Sequence, residues 1–177
     1  MLRKSGIKCA SIVLTLAIAG LQSRTLAAQS GPSLEDTLKW LKDSLPSLTG
    51  GTFQVSGMTI SRMTSLEAIG GCQVRLHHTD TGFGPNVMLS TEEFSFSEID
   101  SSTVKVGQDP SKTQPETYGV GMTTRGGAMT IIENPPQVGK NRVNSTGAGG
   151  FTDRSSAERV ANAFRHAAEL CGKAQPF

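Results

Sequence analysis

The sequence is poor in the residues that usually announce an activity. It has only three histidines and three cysteines in 177 residues. A zinc centre takes about four ligands. His77 and His78 are adjacent, so on a strand they face opposite sides and cannot share one ion. No serine stands in a G-x-S-x-G elbow, so a Ser-His-Asp hydrolase has no motif here, although His78 and Asp80 lie close in sequence. Gly147-Ala148-Gly149-Gly150 precedes a helix, but no Walker lysine follows and no apolar strand leads into it. That stretch reads as a flexible connector. Glu92-Glu93 and the Glu98/Asp100 pair read as solvated acids. No catalytic residue, cofactor or metal ligand is assigned.

Long apolar runs are absent beyond residue 30. Before it, Arg3, Lys4 and Lys8 precede the short run Ala10–Ala19, and Thr25-Leu26-Ala27 ends in small residues. This is the three-part pattern of a secretory signal peptide, assigned to residues 1–28 and leaving 29–177 as one globular domain. The apolar run is too short for a lasting membrane anchor. Excess positive charge is missing as well. Of 17 basic residues, Arg3, Lys4, Lys8 and Arg24 lie in the leader, leaving 13 against 15 acids, net −2. Nothing then favours nucleic acid or anionic lipid as a partner.

Two cysteines remain after the leader, Cys72 and Cys171. In an exported protein such a pair forms a disulfide, here closing a loop of about 100 residues. The periplasm or the extracellular space is the predicted location.

What is present is a well-marked frame. Residues 153–172 carry Ala157, Val160, Ala161, Phe164, Ala167, Ala168 and Cys171 on one helical stripe. Ser155 with Glu158 reads as a capping box and Gly172 as the C-cap. Residues 33–45 form a second amphipathic helix, with Ser33 as N-cap, Leu34, Leu38, Leu41 and Leu45 on its stripe, and Pro46 as its end. Trp40 lies at the stripe's edge.

Between the helices the pattern is β. Thr52–Met58 alternates, and Met58–Leu66 is ambiguous. Cys72–Asp80 alternates most clearly, with Cys72, Val74, Leu76 and His78 inward and His77 outward. Thr81–Pro85 reads as a loop, Asn86–Phe96 as a strand, Ser97–Ser101 as a turn and Thr103–Val106 as a strand. Gly107–Glu116 reads as an exposed loop. Gly126-Gly127 is predicted to close a hairpin with Met122 opposite Ile131 and Thr124 opposite Met129. Gln137–Gly150 reads as a loop or one edge strand. Roughly six short strands framed by two helices define an α+β fold. Its sheet is mostly antiparallel, or a partly open barrel, closed by the C-terminal helix and preceded by an extra N-terminal one. The predicted core includes Phe53, Val55, Val74, Leu76, Met122, Ile131, Val160 and Phe164.

Strands followed by one Ala-faced closing helix, and the link FSFSEIDSSTVKV, resemble pleckstrin-homology-like barrels in architecture. The basic phosphoinositide-binding cluster of those domains is missing. EDTLKWLKDSL and SSAERVANAFRHAAELCG are similar to the two ends of a group of uncharacterised bacterial exported proteins, with helices of the types TLxWLxxxL and AxRVAxAFxHAxxLCG. That resemblance implies bacterial export and no particular activity. The expected function is a non-catalytic exported domain that binds a small ligand or a protein. The alternative is a small secreted hydrolase whose site, around His77 or His78 with a serine and a carboxylate, assembles only in three dimensions.

Overall fold

The structure, a computed structural model, describes residues 31–55, 57–82, 84–108, 116–135 and 139–173. The predicted leader with its expected cleavage region, most of the Gly107–Glu116 loop and Pro176 lie outside the described residues. Helix α1 (Leu34–Leu48) starts on Ser33, whose side chain accepts the Asp36 N–H while the Asp36 carboxylate takes the Ser33 N–H. It runs through Pro46 rather than stopping there. The last turn is closed instead by Thr49, whose N–H and hydroxyl both donate to the Leu45 carbonyl. Leu38, Leu41 and Leu45 are buried, and Trp40 sits at the edge with the Arg159 guanidinium 5.4 Å from its ring.

Helix α2 (Arg154–Lys173) buries all seven residues of the predicted stripe. Its cap differs from the prediction. Asp153 accepts the Ser156 N–H at 2.8 Å, and Glu158 pairs with Arg154 instead of reaching back to Ser155. Gly172 is not a left-handed cap but lies within the last helical turn, under the Arg125 guanidinium. Cys72 and Cys171 are disulfide-bonded, with Cα atoms 5.9 Å apart, which ties the last turn of α2 to the start of a strand.

Among the described residues, nine strands, numbered in chain order, form two antiparallel sheets. The larger has the order β1 (Thr52–Val55), β2 (Met58–Gly70), β3 (Gln73–Gly82), β4 (Gly84–Ser95), β7 (Ile131–Asn134) and β8 (Asn141–Val143). The smaller has the order β5 (Lys105–Gln108), β6 (Tyr118–Thr123) and β9 (Ser145–Phe151). The fold is thus α+β with two framing helices, and the sheet is not closed. One backbone bond, Gly51 N–H to Gly150 carbonyl at 2.7 Å, brings the end of β9 against the start of β1. Gly150 has φ 82°, and a side chain there would collide with the Arg62 carbonyl, so only glycine allows this approach.

Several local expectations are corrected. The Gly126-Gly127 hairpin does not form. Both glycines have positive φ in a 3-10 turn, and Thr124 donates through its hydroxyl to Ala128 and through its N–H to Asn144. That turn carries the chain from one sheet to the other, so β6 pairs with β5 and β9 while β7 pairs with β4 and β8. The Thr81–Pro85 loop is replaced by a close return in which Gly82 pairs with Gly84. On β4, Val87 and Leu89 face solvent and only Phe94 faces the core. The Ser97–Ser101 turn is two short 3-10 turns, the second capped by Asp100. Gln137–Gly150 supplies both β8 and most of β9.

Val74, Leu76, Met122, Ile131, Val160 and Phe164 lie in one core beneath the helices. Phe53 does not join them. It is half-buried, with the Arg62 guanidinium 5.5 Å from its ring. The side chain of Val55 lies outside the described residues.

Candidate functional site: a polar wall facing a glycine wall

The inward face of the larger sheet changes chemistry along its strands. Leu66, Val74, Leu76 and Phe94 cover the core end. One step further, the same face carries Arg62 and Thr64 on β2 and His78 and Asp80 on β3. Arg62 stands opposite Asp80, and Thr64 opposite His78. Glu92 on β4 is paired with Leu76, at the boundary between the two halves. Polar side chains in an inward phase must find partners. Arg62 grips Asp80 with two bonds, Nε to Oδ1 at 2.7 Å and Nη2 to Oδ2 at 2.6 Å. The Thr64 hydroxyl lies 3.2 Å from His78 Nδ1. Glu92 accepts the Thr146 hydroxyl and the Gly147 N–H from β9, across the gap between the sheets.

His78 is 4% exposed. Its Nε2 faces Glu92 Oε2 at 3.6 Å, beyond hydrogen-bond reach, and makes no hydrogen bond. Whichever way the Thr64 hydroxyl points, this nitrogen stays unmatched. Burial by itself would push the Glu92 carboxyl up. The His78 imidazole 3.6 Å away, the Thr146 hydroxyl and the Gly147 amide together hold it below its ordinary value instead. Glu92 is therefore an ionised carboxylate at neutral pH.

Arg62, His78 and Glu92 line one side of a cavity of about 900 Å³ between the two sheets. The other side is the smaller sheet, and its lining is unusual. Gly107, Gly119 and Gly149 form one row across three strands, and Gly121 with Gly147 forms a second across two, its β5 position being Lys105. Side chains at Gly107 or Gly121 would meet nothing within 4 Å, and one at Gly149 would reach to 3.4 Å from Arg62 Cδ. A cleared backbone surface thus faces a charged, hydrogen-bonding one.

The arrangement brings together little that sequence motifs pick out. His78 is inward and buried, as its strand phase predicts, and His77 is outward beside Glu67. His166 Nε2 donates to the Pro32 carbonyl oxygen at 2.7 Å, away from any partner of His78. Asp80 is taken by Arg62. Among the described residues no serine bonds His78, and the hydroxyl that does, on Thr64, is fully buried and inaccessible as a nucleophile. No group of three or more His, Cys, Asp or Glu that could hold a metal occurs among the described residues. The reading of Glu92 as a solvated acid is corrected, because it faces inward while Glu93 faces out to Arg75. The connector reading of residues 147–150 is corrected too, since they belong to β9 and line the cavity. Their signal was glycine at every second position, in YGVGM and GAGG, which is one face of a strand.

Comparisons with family models, curated proteins and solved structures find no match to this chain.

Proposed function

We propose that this is an exported, non-catalytic domain that binds a small molecule in the cleft between its two sheets. The observation that carries the reading is His78 Nε2, which makes no hydrogen bond and has the Glu92 carboxylate no nearer than 3.6 Å, on a side chain buried in the wall of a cavity of about 900 Å³. Native structures rarely leave a buried polar atom without a partner, and a ligand is one way to supply it. Export is supported by the leader pattern and by the Cys72–Cys171 bond, a bond suited to the periplasm or the outside of the cell. Among the described residues, no helix is long and apolar enough to cross a membrane.

Thermal unfolding of the disulfide-bonded protein against a mixed panel of small metabolites tests the binding claim. A ligand at 100 times its Kd stabilises the folded state by about 2.7 kcal/mol, a readable rise in Tm. Compounds that raise Tm should lose their effect in Gly121→Leu, whose side chain fills the cleft. A panel without effect, or equal effects in both proteins, contradicts the proposal. N-terminal sequencing of protein recovered outside the cytoplasm should begin near Gln29; retention of Met1 in the cytoplasm contradicts export.

A further inference from the structure

Building on the cleft as a binding site, we infer that its ligand is a neutral, hydroxyl-bearing ring, a mono- or disaccharide. The first ground is charge. Apart from His78, the lining holds two cations, Arg62 and Lys105, and two carboxylates, Glu92 and Glu133. Arg62 is further neutralised from behind by Asp80. With Asp80 counted, three carboxylates stand against two cations, an excess of one negative charge that disfavours an anionic ligand.

The second ground is hydrogen-bonding capacity. A guanidinium carries five N–H donors, of which Asp80 takes two on Arg62. Glu92, held ionised, is an acceptor with capacity beyond the Thr146 hydroxyl and the Gly147 amide. His78 Nε2 adds an unmatched group between them. Donors and acceptors set side by side suit hydroxyl groups, each of which both gives and accepts a hydrogen bond.

The third ground is shape. The facing wall is made of paired glycines, whose backbone groups are engaged in the ladder and whose missing side chains leave a flat surface. A pyranose ring has this character in reverse. It has a C–H face that can lie on a flat backbone surface and a rim of hydroxyls that can reach Arg62 and Glu92. A cavity of about 900 Å³ has room for one or two such rings.

Calorimetric titration of the disulfide-bonded protein decides the matter. The probes are cellobiose, maltose and N,N′-diacetylchitobiose, with digalacturonate as a charged counterpart and 2-naphthol as a flat ring with one hydroxyl. At least one neutral disaccharide should bind, at least tenfold more tightly than digalacturonate or 2-naphthol. Gly121→Leu should weaken it at least tenfold with Tm unchanged or raised. Glu92→Gln should weaken it as well, and because that variant can also loosen the sheets, the Gly121→Leu result governs. Binding of 2-naphthol or digalacturonate that Gly121→Leu abolishes, with no neutral sugar bound, overturns the saccharide assignment and leaves the cleft as the binding site. Sugar binding that Gly121→Leu leaves unchanged overturns the placement in the cleft. No binding by any probe overturns the saccharide assignment, and the metabolite panel then judges the cleft alone.

Discussion

Glu92 links the two sheets through the Thr146 hydroxyl and the Gly147 amide, and its protonation state bears on stability and on the proposed binding. Burial disfavours its charge, but His78, Thr146 and the Gly147 amide together outweigh that and hold its pKa below the ordinary 4.5. A carboxyl depressed on folding contributes stability that is fully present above its unfolded pKa and is lost as pH falls through the folded one. Wild-type protein should therefore exceed Glu92→Gln in stability at pH 7, and the gap should close below about pH 4.5. Denaturant melts of both proteins at pH 7 and pH 3 check this; a gap that widens in acid contradicts it. The glycines separate in the same way by position. A side chain at Gly147 would run into the Val120 carbonyl, so Gly147→Ala should cost on the order of 1–3 kcal/mol. Gly121→Ala points into the cleft and should change stability by less than about 0.5 kcal/mol. Equal effects would mean that the glycine rows do not face the cleft. None of this was readable from Glu92 in sequence, because an acid beside another acid looks solvated until its strand phase is known.

The helices were legible because their stripes and caps are local. Seven stripe positions on α2 are enough to fix which side is buried, whatever the sheet does beneath it. Phe164 illustrates the consequence: it is fully buried and its ring centroid lies 5.8 Å from that of Phe96. Phe164→Ala should destabilise the protein by about 3–5 kcal/mol in urea titration, and a loss under 1 kcal/mol would mean the helix does not seal the core. The strands were legible where one face is apolar throughout, as at the start of β3. They failed where the inward face turns polar. β2 was ambiguous because Arg62 and Thr64 interrupt Ile60 and Leu66 on its buried side. The Gly126-Gly127 turn was misassigned for a different reason. Turn chemistry signals a reversal, but only tertiary pairing decides whether the two flanking strands bond to each other or to strands distant in sequence.

At the scale of the whole molecule, the described residues form two antiparallel sheets whose shared core lies against both helices. The Cys72–Cys171 bond joins residues 99 apart in sequence and locks the end of α2 to the sheet. Replacing both cysteines with alanine should lower stability by roughly 2–5 kcal/mol without emptying the core, read from denaturant melts with and without reductant. An unchanged midpoint would mean that the bond contributes nothing to the fold. The cleft itself had no sequence signature as a cleft, because its walls come from all six strands of the larger sheet on one side and from β5, β6 and β9 on the other. The central claim of the proposal is that the ligand binds in this cleft. Its most direct test is the NMR spectrum of isotope-labelled protein recorded with and without a compound that raises Tm. The account predicts that the His78 imidazole and the amides of Gly119, Gly121, Gly147 and Gly149 shift together, while the Trp40 indole and the outward His77 imidazole stay still. Shifts confined to Trp40 or to the outer face around His77, with the glycine amides unmoved, would contradict it.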